Sequence, residues 1–271
     1  MPGSNEDDVI EGQDTPDWTS RAKALEFLSR TLHHLDPQVL KPSQVKLLVG
    51  FFGAMFDIDH KAGIMASATA LSKIIAMKPF QPSSGNEIIL KLCALKDDFS
   101  RQTSKTRLAV YELLRSLLTN PDVDKDLRQR HGESASFMKD LLQLCSSERD
   151  PDCLMAWFDI QRHFLAEYPA SQDMLEEVYN MFKAYFPITL PRIAQSGVTP
   201  EELKLQLRKC FSANHRLAQL TFPFLIGKID QGASVTVNVK VCLSPNNVCD
   251  TVSHGSADRY PQDSPALSGK I

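Results

Sequence analysis

Among the 271 residues, the densest set of metal-type donors is Asp57-Ile58-Asp59-His60, two carboxylates and an imidazole within four positions. Such groups hold a divalent cation only where three of them converge on one point, and neither a helical nor a loop spacing converges these. The cluster falls between two predicted helices, where Asp caps exposed backbone N–H groups, and capping is the preferred reading. His33-His34 ends a predicted helix, where a cationic imidazole complements the unsatisfied carbonyls better than it serves a metal. Asp152 and Asp159 could be paired as catalytic carboxylates, but a spacing of seven sets them two helical turns apart on a solvated face.

Phosphate and nucleophile chemistry fares no better. No two glycines stand at G-x-G spacing, and no G-K-[ST], G-x-S-x-G or H-E-x-x-H is present. The six cysteines, at 93, 145, 153, 210, 242 and 249, form no C-x-x-C, and the first four each sit in or beside an apolar helical pattern. Isolated thiols of this kind are small core residues in a reducing compartment. These residues thus point to no catalytic residue, no metal site and no cofactor, and an enzyme is the third and least favoured reading.

What remains is charge. Arg192, Lys204, Arg208 and Lys209 form a modest basic patch, read either as a docking surface for an acidic protein partner or as an ordinary solvated helix face. The net charge of −3 is unevenly spread: residues 1–17 hold six acidic groups and no Lys or Arg, while residues 18–230 carry 27 basic and 24 acidic groups. An excess of that size is far below the basic stripe needed to neutralise several phosphates, so direct nucleic-acid binding is not expected. No apolar run reaches the 18–20 residues of a membrane span, and the acidic start lacks the basic and apolar regions of a signal peptide, so neither membrane insertion nor secretion is expected.

The elements that would carry these residues are helical almost throughout residues 18–230. Leu25, Leu28, Leu32 and Leu35 mark a first helix from Trp18, and Val45, Leu48, Phe52 and Met55 a second, capped by Ser43. A second pair holds Ile64, Ala68, Leu71 and Ile74, then, after a loop over 78–85, Ile88, Ile89, Leu92 and Leu95. The third runs from Ser104 through Val110, Tyr111, Leu114 and Leu118 to a stop at Asn120-Pro121; a charged connection leads to a partner helix with Phe137, Leu141 and Leu144. The fourth starts at Asp150-Pro151, with Trp157 and Phe158 inside, and continues after Pro169 with Leu175, Val178 and Phe182. The fifth opens on the capping box Thr199-Pro200-Glu201-Glu202, and its last helix contains Pro223, where a kink is expected.

Pair starts at 18, 60, 104, 150 and 199 recur every 42 to 49 residues, the size class of HEAT and armadillo repeats, in which stacking completes a core that no single repeat can build. The expectation is an all-α, HEAT-like α-solenoid of about ten helices in five antiparallel pairs over 18–230, flanked by an acidic disordered segment at 1–17 and a largely disordered tail at 231–271. Val235, Val237, Val239 and Val241 alternate as a strand would, but no second strand pattern is evident.

Four stretches carry a family resemblance: Phe51-Phe52 followed by Asp57; Ser147-Glu148-Arg149-Asp150-Pro151 with Leu154 and Phe158; Ala184-Tyr185-Phe186-Pro187-Ile188-Thr189; and Leu203 through Asp230. In order and spacing over about residues 18–241, the chain resembles the N-terminal region of the methyl-methanesulfonate-sensitivity, or methionine-requiring, HEAT-repeat family of cytosolic iron–sulfur assembly, first known for nucleotide excision repair and transcription. The resemblance implies a non-catalytic scaffold of nucleus and cytoplasm that brings iron–sulfur assembly factors to apoproteins such as DNA-repair helicases. A nuclear-transport type of cargo adaptor is the alternative that fold alone leaves open. The chain departs from the family pattern at Thr189 to Val198, which replaces a longer proline-rich loop. It is also several times shorter, which implies truncation after the fifth pair and an uncovered apolar side at Leu217, Leu220, Phe224 and Ile229.

Overall fold

A computed structural model of the chain describes residues 18–57, 61–95, 99–146, 148–188, 196–230, 240–242 and 249–251. Eleven α-helices are defined among the described residues: α1 (Trp18–His33), α2 (Pro42–Ala54), α3 (Lys61–Ile75), α4 (Pro82–Cys93), α5 (Ser104–Thr119), α6 (Pro121–His131), α7 (Ser136–Leu144), α8 (Pro151–Glu167), α9 (Gln172–Ala184), α10 (Pro200–Phe211) and α11 (Ala218–Asp230).

The helix starts follow from local chemistry. Five helices, α2, α4, α6, α8 and α10, begin on proline, whose missing N–H costs nothing in a first turn that has no intrahelical acceptor. Side chains of Thr103, Asn120, Asp150, Ser171 and Thr199 accept from the free amides of α5, α6, α8, α9 and α10. At Thr199 the box closes as expected, with the Glu202 carboxylate 2.7 Å from the Thr199 amide. Two boundaries shift from expectation: α2 begins at Pro42, ahead of Ser43, and α4 begins at Pro82, inside the segment read as a loop.

The charged connection of the third pair is itself a helix, α6. Its sequence, PDVDKDLRQRH, offers only Val123 and Leu127 as apolar residues on one face, too thin a stripe to announce itself. Asn120-Pro121 both stops α5 and caps α6, the Asn120 side chain accepting from the amides of Asp122 and Val123 at 3.1 and 3.2 Å. The third repeat therefore has three helices. Gly85 of α4 faces α6 so closely that a Cβ there would lie 2.5 Å from Val123 Cγ1.

The helices form two layers. α1, α3, α5, α8 and α10 stack side by side in one; α2, α4, α6 with α7, and α9 follow one another in the second, and α11 joins α9. One continuous apolar core lies between the layers, with Trp157, Tyr111, Phe52, Phe99, Phe137, Phe158, Phe164 and Phe182 fully enclosed. The fold is an all-α solenoid of packed helix pairs. None of the described helices is long and apolar enough to cross a membrane.

The terminal helix corrects one expectation. Leu217 is buried, and Leu220 and Phe224 are half-buried against α9, where Phe224 meets the rings of Tyr179 and Phe186. Ile229 lies five and nine residues beyond Phe224 and Leu220, about 140° and 180° around the helix, so it cannot share their face. It joins Phe222 and Ile226 in an exposed stripe at i, i+4 and i+7. α11 continues through Pro223, and in that turn the Tyr179 hydroxyl donates to the Leu220 carbonyl at 3.0 Å.

The acidic segment 1–17 and most of 231–271 lie outside the described residues. Of the alternating valine segment only Lys240–Cys242 is described; it pairs antiparallel with Cys249–Thr251, Val241 opposite Asp250, a partner that no strand pattern signalled.

Candidate functional site

The most concentrated polar chemistry in the array is buried at the junction of the third and fourth repeats. Helix α5 presents Arg107 and Tyr111 four residues apart on one face, towards the turn that precedes α8. Glu148, in that turn, is 5% exposed. Its Oε2 accepts from Arg107 Nε at 2.7 Å and from the Tyr111 hydroxyl at 3.1 Å. Its Oε1 accepts from Arg107 Nη2 and from the amides of Arg149 and Asp150, each at 2.9 Å. Arg107 also donates to the Gln102 carbonyl at 2.6 Å.

Burial alone would raise the Glu148 pKa. The Arg107 hydrogen bonds, the two backbone amides and the guanidinium charge outweigh it and hold the carboxyl below its ordinary range. The pair raises Arg107 in turn, chiefly through the Glu148 hydrogen bond. Around it, burial pushes the phenol of Tyr111 and the thiols of Cys145 and Cys153 well above their usual values. A cleft of about 230 Å³ opens beside this group, lined among others by Phe99, Leu144 and Cys145. Its polar lining joins the closed Arg107–Glu148 pair, a neutral phenol and a protonated thiol to the exposed Ser100 and Arg149, and the ion pair fixes two repeats against each other.

Two of the segments that carry the family resemblance meet here. The Tyr185 hydroxyl donates to the Glu148 carbonyl at 3.1 Å, and its ring lies edge-on to Phe158, centroids 5.5 Å apart. The tyrosine-phenylalanine-proline-isoleucine junction after α9 is thus tied to the Glu148–Pro151 segment before α8. Sequence reasoning named both segments without seeing the contact. The available signal was an acid two residues ahead of an Asp-Pro helix start, where free amides invite a second carboxylate.

The basic candidates are less concentrated. Arg192 lies outside the described residues. Lys204 and Arg208 are four residues apart on α10 and share a face, with Lys209 exposed in the same last turn, where cations suit the helix C-terminus. Lys204 pairs with Glu201 at 2.8 Å, and that contact lowers the Glu201 pKa. Other helices of this layer repeat the pattern, Asp159 with Arg162 on the adjoining α8 and Glu112 with Arg115 on α5, each at 2.5 Å, so this layer faces outward as a mosaic of both signs.

The remaining chemical candidates stay apart. His33 and His34 are exposed at the C-terminal end of α1. Asp57 pairs with Lys91 at 2.5 Å, where capping was expected, and Ile58, Asp59 and His60 lie outside the described residues. Among the described residues no three His, Cys, Asp or Glu side chains gather as a metal site.

The model of the family described as Dos2-interacting transcription regulator of RNA-Pol-II, the MMS19 N-terminal region, matches residues 13–259. The chain belongs to the MMS19 family. It is 24% identical over 224 residues to the DNA repair/transcription protein mms19 of Schizosaccharomyces pombe, covering 82% of this chain and 21% of the relative. Against the human MMS19 nucleotide excision repair protein homolog it is 26% identical over 222 residues, 80% of this chain and 20% of the relative. The Dictyostelium discoideum homolog gives 26% over 215 residues, 77% and 18%. The chain thus spans about one fifth of the length of these MMS19 relatives.

Proposed function

We propose that this chain is a non-catalytic scaffold of DNA repair and transcription, the N-terminal part of an MMS19-type adaptor. More specifically, it helps the cytosolic iron–sulfur assembly machinery deliver clusters to apoproteins such as DNA-repair helicases, in nucleus and cytoplasm. The observation that carries this reading is the family match along nearly the whole solenoid, which includes the Glu148 and Tyr185 segments that join its repeats. A stack of rigid helix pairs offers extended surface for protein partners, and the Arg107–Glu148 pair at the junction of the third and fourth repeats is a contact between repeats.

In this reading Arg192, Lys204, Arg208 and Lys209 form part of the partner surface. Reversing Arg208 and Lys209 to Glu weakens capture of iron–sulfur assembly factors while leaving the helical circular dichroism signal intact. Unchanged capture returns the patch to an ordinary solvated face. Capture of a small GTPase with nuclear cargo instead supports the nuclear-transport type of adaptor.

A further inference from the structure

Three apolar side chains, Phe99, Leu144 and Cys145, and three charged ones, Arg107, Glu148 and Arg149, line the cleft between the third and fourth repeats. The charges do not cancel. Glu148 is neutralised by Arg107, which leaves Arg149 as one net positive charge in the lining. Arg149 is exposed, and its side chain makes no hydrogen bond or ion pair among the described residues; only its backbone amide is engaged, by Glu148. The acid on its other side, Asp150, caps α8, accepting from the amides of Asp152 and Cys153 at 3.1 and 3.2 Å. Arg107 also has donors to spare. Of the five N–H groups of a guanidinium, three go to Glu148 and to the Gln102 carbonyl, and the side chain keeps 16% exposure.

The backbone leans the same way. The long helices α5 and α8 begin beside the cleft and only the nine-residue α7 ends there, so two partial positive charges stand against one negative. At about 230 Å³ the space falls below the roughly 300–1,000 Å³ of drug-sized sites and suits a single side chain inserted from outside. One uncommitted arginine beside an apolar wall matches a planar carboxylate, which it can grip through two parallel N–H groups; phosphorylated segments are met by clusters of arginines. Glu148 and Arg149 both belong to a stretch that carries the family resemblance. The fold uses the side chain of the first and leaves that of the second uncommitted.

We propose that this cleft is a docking site for an aspartate or glutamate side chain of a protein partner, its carboxylate held by Arg149 and the remaining N–H groups of Arg107 and its methylenes set against Phe99 and Leu144. The site is separate from the patch of Arg192, Lys204, Arg208 and Lys209. It rests on the scaffold reading in taking a protein as the source of the carboxylate.

The test follows modification of arginines by phenylglyoxal in the full 271-residue chain, mapped by peptide mass spectrometry, with N-acetylglutamate amide as the probe. A ligand of this size is expected to half-saturate the cleft at about 5 mM, so about 20 mM slows modification of Arg149 roughly fivefold. Arg115 and Arg162, exposed on α5 and α8, are expected to react at unchanged rates, and N-acetylglutamine amide to protect none of the three. Unslowed Arg149, equal slowing of all three arginines, or equal slowing by the glutamine probe overturns the proposal. Stronger slowing by succinate than by the glutamate probe overturns it in favour of a free small acid. Asp97 and Asp98 precede Phe99 in the sequence and supply an internal control. Slowing that appears only in the D97N/D98N variant means that the chain's own carboxylates fill the cleft, and overturns the proposal as well. Because the probes are small molecules, failure of the site and failure of the scaffold reading register separately.

Discussion

Replacing Glu148 with Gln tests whether the buried ion pair fastens the third repeat to the fourth. The carboxylate collects five donors, and the two from Arg107 form a bidentate fork at 2.7 and 2.9 Å. Glutamine keeps one acceptor oxygen but loses the charge, and its NH2 group faces donors where an acceptor stood. Breaking a buried pair on one side costs about 3–5 kcal/mol. The Arg107 side chain, 16% exposed, recovers some hydration, so the lower end of that range applies. At about 2–4 °C per kcal/mol for a protein of this size, E148Q lowers the midpoint of thermal unfolding by roughly 6–12 °C. The pH dependence adds a sign. A carboxyl held below its ordinary range contributes stability that is complete above its unfolded pKa, about 4.3, and is lost as pH falls through the folded value. The gap between the native protein and E148Q therefore narrows below about pH 4. Circular dichroism melts between pH 3 and 8 read both effects. A drop under 2 °C at neutral pH, or a gap that widens in acid, would show that the Arg107–Glu148 pair does not fasten the two repeats.

Asn120→Ala removes the cap of α6 and costs about 1 kcal/mol in urea unfolding; no loss would mean that α6 is held by packing alone. Gly85→Ala drives a Cβ into Val123 and destabilises by about 1–3 kcal/mol, and Val123→Ala in the same chain recovers much of that loss; equal stability of the single and double variants would contradict the close approach of α4 and α6. Replacing Phe222, Ile226 and Ile229 with Ser leaves the melting point within a few degrees, because all three are exposed, and lowers self-association in sedimentation velocity runs; unaltered sedimentation would show that this stripe is not adhesive.

Most of the helical architecture was legible because most helices carry an apolar stripe and several also carry a start signal. Thr199-Pro200-Glu201-Glu202 and Asp150-Pro151 gave α10 and α8 their first residues directly. α6 escaped because two apolar residues in eleven make no stripe, and its only strong signal, Asn120-Pro121, reads equally as an end. The outward turn of Ile229 was hidden by grouping it with Leu217, Leu220 and Phe224 without tracking its angle around α11. The buried site was the least legible part. Glu148 gains its partners from Arg107 and Tyr111, 41 and 37 residues away, and no local pattern encodes a contact between repeats. The family segments pointed to the right turns, but only the packed array shows that they touch.

We propose that this solenoid works as a scaffold for proteins of iron–sulfur assembly and DNA repair. Affinity capture of the tagged 271-residue chain from cells, with quantitative mass spectrometry against the R208E/K209E variant, tests it most directly. The expected result is enrichment of iron–sulfur assembly factors and iron–sulfur helicases, reduced several-fold in the variant. Enrichment of a small GTPase with nuclear cargo in their place would contradict it.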